Sequence, residues 1–238
     1  MNKTIFLTSS GVDSFCMWRL VNKNYQNPEV VYFCLGHKYQ DIERETLQKL
    51  SKVCSFNVKE VDFIKLGDFE KENAYIPYRN LLLFCGAGLL DADKVLLGSL
   101  RGEYSKDKSN RFMKESSRLL SFVDERQIEL INPIGKYTKT QLVRKFLNVF
   151  PDELEYLKMT HSCYKDKRRC GQCMACFRRW VAFYNNGIEE SYLNPPWKWE
   201  AIQYKNFSDW LRKFWKSPSL DILINNFDAY KALKRKMG

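Results

Sequence analysis

Short apolar runs with strand character alternate along the chain with segments whose apolar residues recur at helical spacing. Apolar runs bounded by turn residues predict buried strands, and the amphipathic segments between them predict crossover helices. The predicted strands lie near residues 3–8, 30–35, 57–63, 95–99 and 128–131. The sequence therefore predicts an α/β fold, a doubly wound parallel sheet.

The helical segments carry start and stop signals. Thr138 stands where a residue capping the N-terminus of a helix would stand, and Gly187 where a helix would stop. Helices are predicted near residues 13–22, 40–53, 81–90, 111–122 and 177–186, and after Thr138 and Pro151. The polar residues 100–110 then form a loop over the carboxyl ends of the strands, where doubly wound sheets bind ligands.

The end of the chain has a different character. Asn194-Pro195-Pro196 marks a boundary, and aromatic residues beyond it recur at helical spacing, with a break at Ser217-Pro218. This pattern predicts two amphipathic helices that pack on the domain or on a second subunit. The chain thus divides into an α/β domain at residues 1–158, a cysteine-bearing knot and helix at 159–190, and an aromatic-rich, mainly helical extension at 191–238.

Composition narrows the class of protein. The 238 residues are 45% hydrophobic and 15% aromatic, which excludes a disordered chain. No apolar run reaches the roughly 18 residues of a membrane span, and polar residues 8–10 interrupt the only candidate for a secretory signal. We therefore expect a cytoplasmic protein with no membrane partner.

The formal net charge of +11 has two interpretations. Clustered Lys and Arg side chains can bind nucleic acid, but acidic small molecules such as nucleotides favour a basic protein equally well. Much of the excess lies at residues 165–169, at 178–179 and at 231–236. We treat these clusters as a weak indication of nucleic acid, with a solvated surface as the default.

The eight cysteines form two groups. Cys16, Cys34, Cys54 and Cys85 stand singly within apolar elements, which predicts that they are core residues. The other four have the spacing C-x6-C-x2-C-x2-C, which suggests a metal site in a reducing compartment. Four thiolates favour structural Zn²⁺ over an iron–sulfur cluster, and a site without a metal remains a third possibility. The proposed ligands are Cys163, Cys170, Cys173 and Cys176.

The segment Ser9-Ser10-Gly11-Val12-Asp13-Ser14, here called the phosphate loop, lies between the first predicted strand and the first predicted helix. Small residues let backbone N–H groups approach an anion, and the start of a helix offers unpaired N–H groups. A simple turn with a helix cap would use the same residue types. From the residues alone the two interpretations are equally good.

Four motifs together extend the comparison to a known family. The phosphate loop resembles the signature S-G-G-x-D-S of the PP-loop ATP-pyrophosphatases. The segments Ser162-Cys163-Tyr164 and Cys170-Gly171-Gln172-Cys173, followed by Cys176 and Arg178, resemble the closing zinc motif [ST]-C-Y … C-G-x-C-x-x-C-x-x-R of 7-cyano-7-deazaguanine synthases. Pro77, Arg79 and Asn80 match that family's P-x-R-N motif, and Pro133 and Lys139 match its late P…K stretch.

This resemblance implies an ATP-dependent C–N ligase that releases AMP and pyrophosphate. In the family, the carboxylate of 7-carboxy-7-deazaguanine is adenylated, ammonia displaces AMP to give an amide, and a second activation dehydrates the amide to the nitrile. The product belongs to the queuosine pathway or to deazapurine modification of DNA. The resemblance also implies a homodimer, Mg²⁺ bound with ATP, and structural zinc.

The resemblance assigns roles to individual residues. The residues implied to bind ATP are Ser9, Ser10, Gly11, Val12, Asp13, Ser14, Cys34, Leu35 and Gly98. The residues implied to bind the acceptor are Arg79, Asn80, Glu103 and Asp107, and the implied catalytic residues are Asp13, Arg79 and Lys139. His161, beside the cysteines, is expected to be structural.

The chain departs from the family pattern at three places. Ser10 stands where the family usually has a glycine, and a positive φ there would disfavour serine. His37 stands where the family usually has glutamine. The family's Tyr-Pro-Asp segment is replaced by Asp107-Lys108-Ser109, with Glu103 as a substitute for a nearby aspartate.

Two other functions remain open. An enzyme of this kind could adenylate a protein carboxylate in a defence or conjugation system, and the altered loop at residues 107–109 together with the aromatic extension favours that slightly. Alternatively, the basic side chains and the zinc knot could bind nucleic acid, with a vestigial phosphate loop. The net charge and Ser10 support this second alternative, which we do not favour because charge alone is a poor guide to a partner.

Overall fold

The computed structural model describes residues 3–62, 64–103, 105–199 and 220–237. Five strands form one sheet in the order β3-β2-β1-β4-β5, and every neighbouring pair is parallel. The strands are β1 (Thr4–Leu7), β2 (Glu29–Phe33), β3 (Val58–Val61), β4 (Lys94–Leu96) and β5 (Glu129–Ile131). The predicted doubly wound parallel sheet is confirmed.

Eight α-helices occur within the described residues. They are α1 (Val12–Val21), α2 (Gln40–Val53), α3 (Arg79–Leu89), α4 (Asn110–Val123), α5 (Lys139–Val149), α6 (Leu154–Met159), α7 (Met174–Tyr184) and α8 (Leu220–Met237). The helices that follow successive strands cover both faces of the sheet, as a parallel sheet requires.

The central strand β1 shows why the sheet has two cores. Ile5 and Leu7 join one buried cluster, whereas Phe6 between them joins the cluster on the opposite face. This alternation follows from the two-residue period of a strand. Since the chain runs from β1 to β2 on one side and reaches β4 on the other, β1 and β4 flank the topological switch point where such sheets bind ligands.

Two element boundaries differ from the prediction. Helix α7 begins at Met174 and not near Phe177, because the Cys173 sulfur accepts a hydrogen bond from the Cys176 N–H and caps the first turn. Strand β4 ends at Leu96 and not at Ser99, because the Asn132 amide group bonds both the N–H and the C=O of Ser99. In both places a side chain, and not a backbone group, is the hydrogen-bond partner of the backbone at the end of the element.

The prediction that four single cysteines belong to the core was only half right. Cys16 and Cys34 are buried, but Cys54 and Cys85 are half-buried. Cys54 stands at the C-terminal end of α2, and Cys85 lies on the partly exposed side of α3. A cysteine in an apolar segment is therefore not always fully enclosed.

The terminal helix α8 packs against α7. Ala229, Ala232 and Leu233 form one buried cluster with Trp180 and Val181 of α7. The expected packing of the extension on the rest of the chain is thus confirmed for α8. The other predicted tail helix lies outside the described residues. None of the described helices is long and apolar enough to cross a membrane.

Thr138 connects α5 to α8 through one hydroxyl. It is fully buried, and its hydroxyl accepts from the Gln141 N–H at 3.2 Å and donates to Asp228 at 2.8 Å. The Gln141 side chain accepts from the Thr138 N–H in return, which completes a capping box. The predicted cap is confirmed, and the same residue also holds the terminal helix.

We predict that Thr138→Val, which keeps the shape but removes the hydroxyl, lowers the free energy of unfolding by about 1–2 kcal/mol. Thr138→Ser keeps the hydroxyl and should lose less. Urea titration followed by circular dichroism measures both variants. A larger loss in Thr138→Ser than in Thr138→Val would mean that methyl packing, and not the hydroxyl, holds this end of α5.

Candidate active site

A cavity of about 220 Å³ lies outside the carboxyl ends of β1, β2 and β4. The phosphate loop forms one side, the starts of α3 and α5 contribute further residues, and the segment at residues 161–164 forms the opposite wall. Its charged and histidine side chains are Asp13, His37, Glu43, Arg79, Glu103, Lys108, Lys139, His161 and Arg178. The cavity is therefore polar and carries both signs of charge.

The fold brings together most of the site residues that the sequence predicted. Those that line the cavity are Ser9, Gly11, Val12, Asp13, Ser14, Leu35, Arg79, Asn80, Gly98, Glu103 and Lys139. Within the described chain, Ser10, Cys34 and Asp107 are not among the lining residues. These three therefore do not present a side chain to a ligand in this cavity.

Hydrogen bonds within the phosphate loop fix its shape. The Ser14 hydroxyl donates to the Ser9 carbonyl at 2.6 Å and accepts from the Ser9 N–H at 3.2 Å. The Gly11 N–H donates to the Ser9 hydroxyl at 3.2 Å. Gly11 stands at the N-cap of α1, and among the described residues no side chain caps this helix start. The first N–H groups of α1 can thus face an anion.

Ser10 connects the phosphate loop to the opposite wall. It is fully buried, its hydroxyl donates to the His161 carbonyl at 3.2 Å, and its own carbonyl accepts from the His161 N–H at 2.8 Å. Ser10 is not one of the described residues with a positive φ, so a side chain there causes no backbone strain. The departure from glycine is therefore accommodated by the backbone of His161, and a structural role for the His161 side chain stays a prediction.

An ion pair joins the starts of α1 and α5. The Lys139 ammonium donates to both carboxylate oxygens of Asp13 at 2.6 Å. Both side chains are about one-fifth exposed and line the cavity. Asp13 lies in the first turn of α1, where the helix dipole favours a negative charge. Two of the three predicted catalytic groups are thus in direct contact.

Asn80 positions the loop before α4, while Arg79 faces the cavity beside it. The Asn80 amide donates to the Asp107 carbonyl at 3.1 Å, and its oxygen is 3.4 Å from the Arg79 Nε. The Asp107 carboxylate accepts from the Ser105 hydroxyl instead of entering the cavity. The backbone of Asp107, and not its side chain, therefore contacts the site.

Glu103 is a half-buried carboxylate among cations. It lies 3.0 Å from the Lys108 ammonium and 3.9 Å from the Arg178 guanidinium. Burial alone would raise the pKa of Glu103, but Lys108 and Arg178 outweigh that effect, and the pKa lies below its usual value. Glu103 is therefore ionised at neutral pH and can accept hydrogen bonds from a ligand.

The end of β2 contributes backbone and one apolar side chain. Cys34 packs with Tyr32 and Leu47 in a separate buried cluster, which explains why its side chain does not reach the cavity. Leu35 lines the cavity, but its carbonyl already accepts from the N–H groups of Leu66 at 2.7 Å and Gly67 at 3.0 Å.

Several lining residues received no role from the sequence. His37 and Glu43, 3.1 Å apart, line the cavity together with Tyr39. Arg178, which the motif comparison placed at the family's closing arginine, also faces it. For the pair of His37 and Glu43, the unusual His37 was the signal in the sequence, because the loop that brings it to Glu43 leaves no pattern of its own.

The four clustered cysteines form a compact group of sulfurs. All four are buried, and their Sγ atoms lie within 4.8 Å of one another. The Cys170 and Cys176 sulfurs are 3.9 Å apart, close to the spacing of about 3.8 Å that a tetrahedral ion with 2.3 Å metal–sulfur bonds requires. The chain can therefore hold one metal ion here, at the wall of the cavity.

Backbone donors support thiolates in this group. The N–H groups of Lys165, Gln172 and Cys176 lie 3.3–3.4 Å from the sulfurs of Cys163, Cys170 and Cys173, respectively. Without a metal, hydrogen bonds from Cys173 and Cys176 hold the pKa of the Cys163 thiol below its usual value, whereas burial raises the pKa of Cys170 and the hydrogen bond to Cys163 raises that of Cys176. Negative sulfurs are what a metal cation needs.

Glycine is required in the middle of this loop. Gly171 has a φ of +73°, and a Cβ atom there would lie 1.7 Å from the Asn194 carbonyl oxygen. The Asn194 amide donates to the Cys170 carbonyl at 3.1 Å. The segment near Asn194 therefore covers the loop, and any side chain at residue 171 would push it away.

A buried arginine anchors the wall. Arg179 is 1% exposed, and its guanidinium donates to both oxygens of Glu190 at 2.7–2.8 Å and to the Thr160 hydroxyl at 2.7 Å. The closing arginine of C-x-x-R lies three residues after Cys176, which is Arg179; the assignment to Arg178 was wrong. Arg179 is structural, and Arg178 faces the cavity.

The basic clusters are largely used inside the structure. Lys167 pairs with Glu45 at 3.3 Å, and Arg169 pairs with Glu190 at 3.2 Å. In α8, Lys231 and Lys236 lie over aromatic rings. These contacts account for part of the positive charge without a nucleic acid.

We predict that Arg179→Met lowers the free energy of unfolding by about 3–5 kcal/mol, because it removes the cation that contacts both oxygens of the buried Glu190 carboxylate and leaves only weaker contacts such as that to Arg169. The neighbouring Arg178→Met, a half-exposed position, should change stability by less than about 0.5 kcal/mol. Denaturant titration of both variants measures the difference. Similar values for the two arginines would contradict the assigned structural role of Arg179.

Comparison with known proteins agrees with this geometry. The family model described as "Queuosine biosynthesis protein QueC" matches residues 64–187, just over half of the chain. A 7-cyano-7-deazaguanine synthase of Methanoculleus marisnigri is 28% identical over 225 residues, which cover 80% of this chain and 97% of that protein. The synthase of Methanococcus maripaludis is 25% identical over 224 residues, with coverage of 78% and 96%.

A 7-cyano-7-deazaguanine synthase of Sulfolobus acidocaldarius is 24% identical over 221 residues, which cover 79% of this chain and 47% of that protein. A solved structure described as a predicted subunit of tRNA methyltransferase from Methanocaldococcus jannaschii has a TM-score of 0.46 and 17% identity, covering 61% of this chain and 74% of that chain. The latter likeness is too low to support an argument. From the family match, the chain belongs to the QueC family of queuosine biosynthesis proteins.

Proposed function

We propose that this chain is an ATP-dependent ligase that converts 7-carboxy-7-deazaguanine into 7-cyano-7-deazaguanine. One observation carries the proposal: the phosphate loop, the Asp13–Lys139 pair and Arg79 line a single cavity at the switch point of the sheet. An anion cradle beside cations suits nucleotide activation of a carboxylate. The relatives named 7-cyano-7-deazaguanine synthase support the choice of acceptor.

In the first activation, a carboxylate oxygen of the acceptor attacks the α-phosphorus of ATP. The bond between the α-phosphorus and the bridging oxygen breaks, and pyrophosphate leaves. The N–H groups at the start of α1 would hold the leaving phosphates, and the Lys139 ammonium would neutralise charge at the α-phosphate. Arg79 would hold the acceptor carboxylate in line for attack.

Asp13 also fits a role in holding Mg²⁺. Its carboxylate lines the cavity next to the phosphate loop, and Mg²⁺ sites in phosphoryl transfer commonly use one or two carboxylates together with phosphate oxygens. When bound, Mg²⁺ supplies charge neutralisation on the phosphates. Since Asp13 now pairs with Lys139, phosphate oxygens would take over Lys139 when Asp13 turns to the cation.

The remaining steps exchange oxygen for nitrogen. Ammonia attacks the activated carbonyl carbon, AMP leaves with the carboxylate oxygen, and loss of a proton gives the amide. The amide oxygen then attacks a second ATP at the α-phosphorus and releases pyrophosphate. Departure of AMP with loss of the N–H protons leaves the nitrile. The same phosphate loop serves both activations.

The cysteine group fits structural zinc. Four buried sulfurs around one point would leave a tetrahedral ion without an open position, so the ion would stabilise the wall and take no part in the reaction. An iron–sulfur cluster, whose cysteines bind different iron atoms, would hold the sulfurs further apart. Cys163 both belongs to this group and lines the cavity.

Other features stay predictions. The division at residues 1–158, 159–190 and 191–238 is one of them, although α7 shares a buried cluster with α5. A homodimer and a cytoplasmic location are the others. The exposed apolar side chains of Leu89, Phe122 and Val123 are available to a dimer contact.

We predict that the protein with ATP, Mg²⁺, ammonium and 7-carboxy-7-deazaguanine forms AMP and the nitrile, as measured by mass spectrometry. Lys139→Met should lower kcat/KM by about 10²–10³-fold, because it removes charge stabilisation at the α-phosphate. Lys136→Met, an exposed lysine three residues earlier, is the matched control and should keep full activity.

The contrary outcomes separate the alternatives. No AMP and no nitrile from the wild-type protein would overturn the proposal. AMP that forms only with a partner protein, while the free base stays inert, would indicate a protein carboxylate as acceptor. Binding to nucleic acid with a steep salt dependence and without ATP turnover would indicate the nucleic-acid module.

We predict one zinc ion and no iron per chain, measured by elemental analysis of the purified protein. Cys173→Ser should lose the metal and unfold more easily, since binding of a structural metal contributes folding free energy. Cys85→Ser, a cysteine outside the group, should retain it. Iron in place of zinc, or full stability of the metal-free chain, would contradict this assignment.

A further inference from the structure

A histidine that the family pattern does not contain lines the cavity, and one of its ring nitrogens is buried without a partner in the described part of the chain. His37 follows β2, lines the cavity and is 8% exposed. Its Nδ1 has no hydrogen-bond partner among the described residues. A buried polar atom without a partner costs free energy. A partner for this nitrogen is therefore to be sought in the cavity.

Glu43 determines which nitrogen of His37 carries the proton. The His37 Nε2 is 3.1 Å from a Glu43 oxygen that also accepts from the Tyr32 hydroxyl at 3.0 Å. Burial raises the pKa of the Tyr32 hydroxyl, and the nearby Glu43 raises it further, so the hydroxyl keeps its proton and donates. Because a carboxylate only accepts, Nε2 donates as well. In the neutral imidazole, Nδ1 is then an acceptor.

The loop that carries His37 is held in place. Gly36 has a φ of +76°, and its N–H donates to the Gln40 side chain at 2.7 Å. A Cβ atom at Gly67 would lie 2.1 Å from the Gly36 carbonyl oxygen, so the two backbones are in close contact. The His37 ring also packs on Tyr39 at a centroid distance of 4.3 Å. These contacts orient the imidazole before a ligand arrives.

A neighbouring backbone acceptor is already used. The Leu35 carbonyl accepts two N–H groups, from Leu66 and Gly67, and a carbonyl oxygen has two lone pairs. A ligand base at this edge therefore needs another acceptor for its N–H groups. Adenine carries an exocyclic amino group, and 7-carboxy-7-deazaguanine carries an amino group and ring N–H groups. The His37 Nδ1 suits either base.

We propose that His37 binds the heterocyclic base in the cavity by accepting a hydrogen bond from a base N–H group, and that Glu43 is its positioning residue. The identity of the two candidate bases rests on the proposed function. The shared chemistry is an N–H donor on a planar nitrogen heterocycle. A glutamine at this position, as in the family pattern, could accept through its side-chain oxygen.

Binding titrations test this without requiring turnover. Isothermal titration calorimetry at pH 8 compares wild type, His37→Phe and His37→Gln with three probes: ATP, 7-carboxy-7-deazaguanine, and purine riboside triphosphate, which lacks the adenine amino group. His37→Phe should bind one of the first two about fivefold to tenfold more weakly, as for one lost hydrogen bond. His37→Gln should retain at least half of the wild-type affinity.

The probes distinguish the two bases. If adenine is the donor, wild type prefers ATP to purine riboside triphosphate, and His37→Phe removes that preference. If 7-carboxy-7-deazaguanine supplies the N–H group, His37→Phe leaves the affinity for ATP unchanged and lowers the affinity for 7-carboxy-7-deazaguanine. Tyr32→Phe, which keeps both His37 and Glu43, is the control for general disturbance of the loop.

Three results would overturn the proposal: His37→Phe binds every probe as wild type does, His37→Gln loses as much affinity as His37→Phe, or wild type binds neither base. Unfolding curves recorded on the same samples identify loss of folding. If binding behaves as proposed but neither AMP nor nitrile forms, the proposed reaction fails and the assignment of His37 stands.

Discussion

The buried ion pair between Arg179 and Glu190 holds the wall on which the cavity depends. The Arg179 guanidinium also donates hydrogen bonds to the Thr160 hydroxyl and to backbone carbonyls of α6, so it fixes the chain just before the cysteines. The next residue, His161, holds Ser10 of the phosphate loop through two hydrogen bonds. The buried Arg179 thus connects α7, through residues 160 and 161, to the phosphate loop at the end of β1.

The charges in the cavity are arranged in pairs that an anion can rearrange. Lys139 contacts Asp13, and Lys108 contacts Glu103. Each pair keeps its side chains within the cavity instead of in solvent, so the positions of the cations are set in advance. A phosphate that enters needs only to compete with a carboxylate for a cation already in place. Such exchange favours a nucleotide over a neutral ligand and explains why acids and bases share the site.

The sequence predicted the parallel sheet and its helices because period-two and period-3.6 patterns are local. The motif matches also assigned Asp13, Arg79 and Lys139 to one site, but they gave no distances between these residues. The sequence prediction failed where side chains replace backbone partners, as at Cys173, which starts α7 early, and at Ser10, whose hydroxyl turns away from the cavity. The contact between His37 and Glu43 depends on the path of one loop, and no residue pattern encodes that path.

Two of the departures from the family pattern, Ser10 and His37, differ in their physical consequence. Ser10 adds a hydroxyl that the protein itself satisfies at the His161 carbonyl, so the loop keeps a shape that suits phosphate. His37 adds a ring nitrogen that finds no partner among the described residues, at the end of β2 and away from the phosphate loop. The first change is neutral toward a ligand, whereas the second alters what the cavity can recognise. In the proposed function, activation by ATP and recognition of the base therefore depend on different residues of this fold.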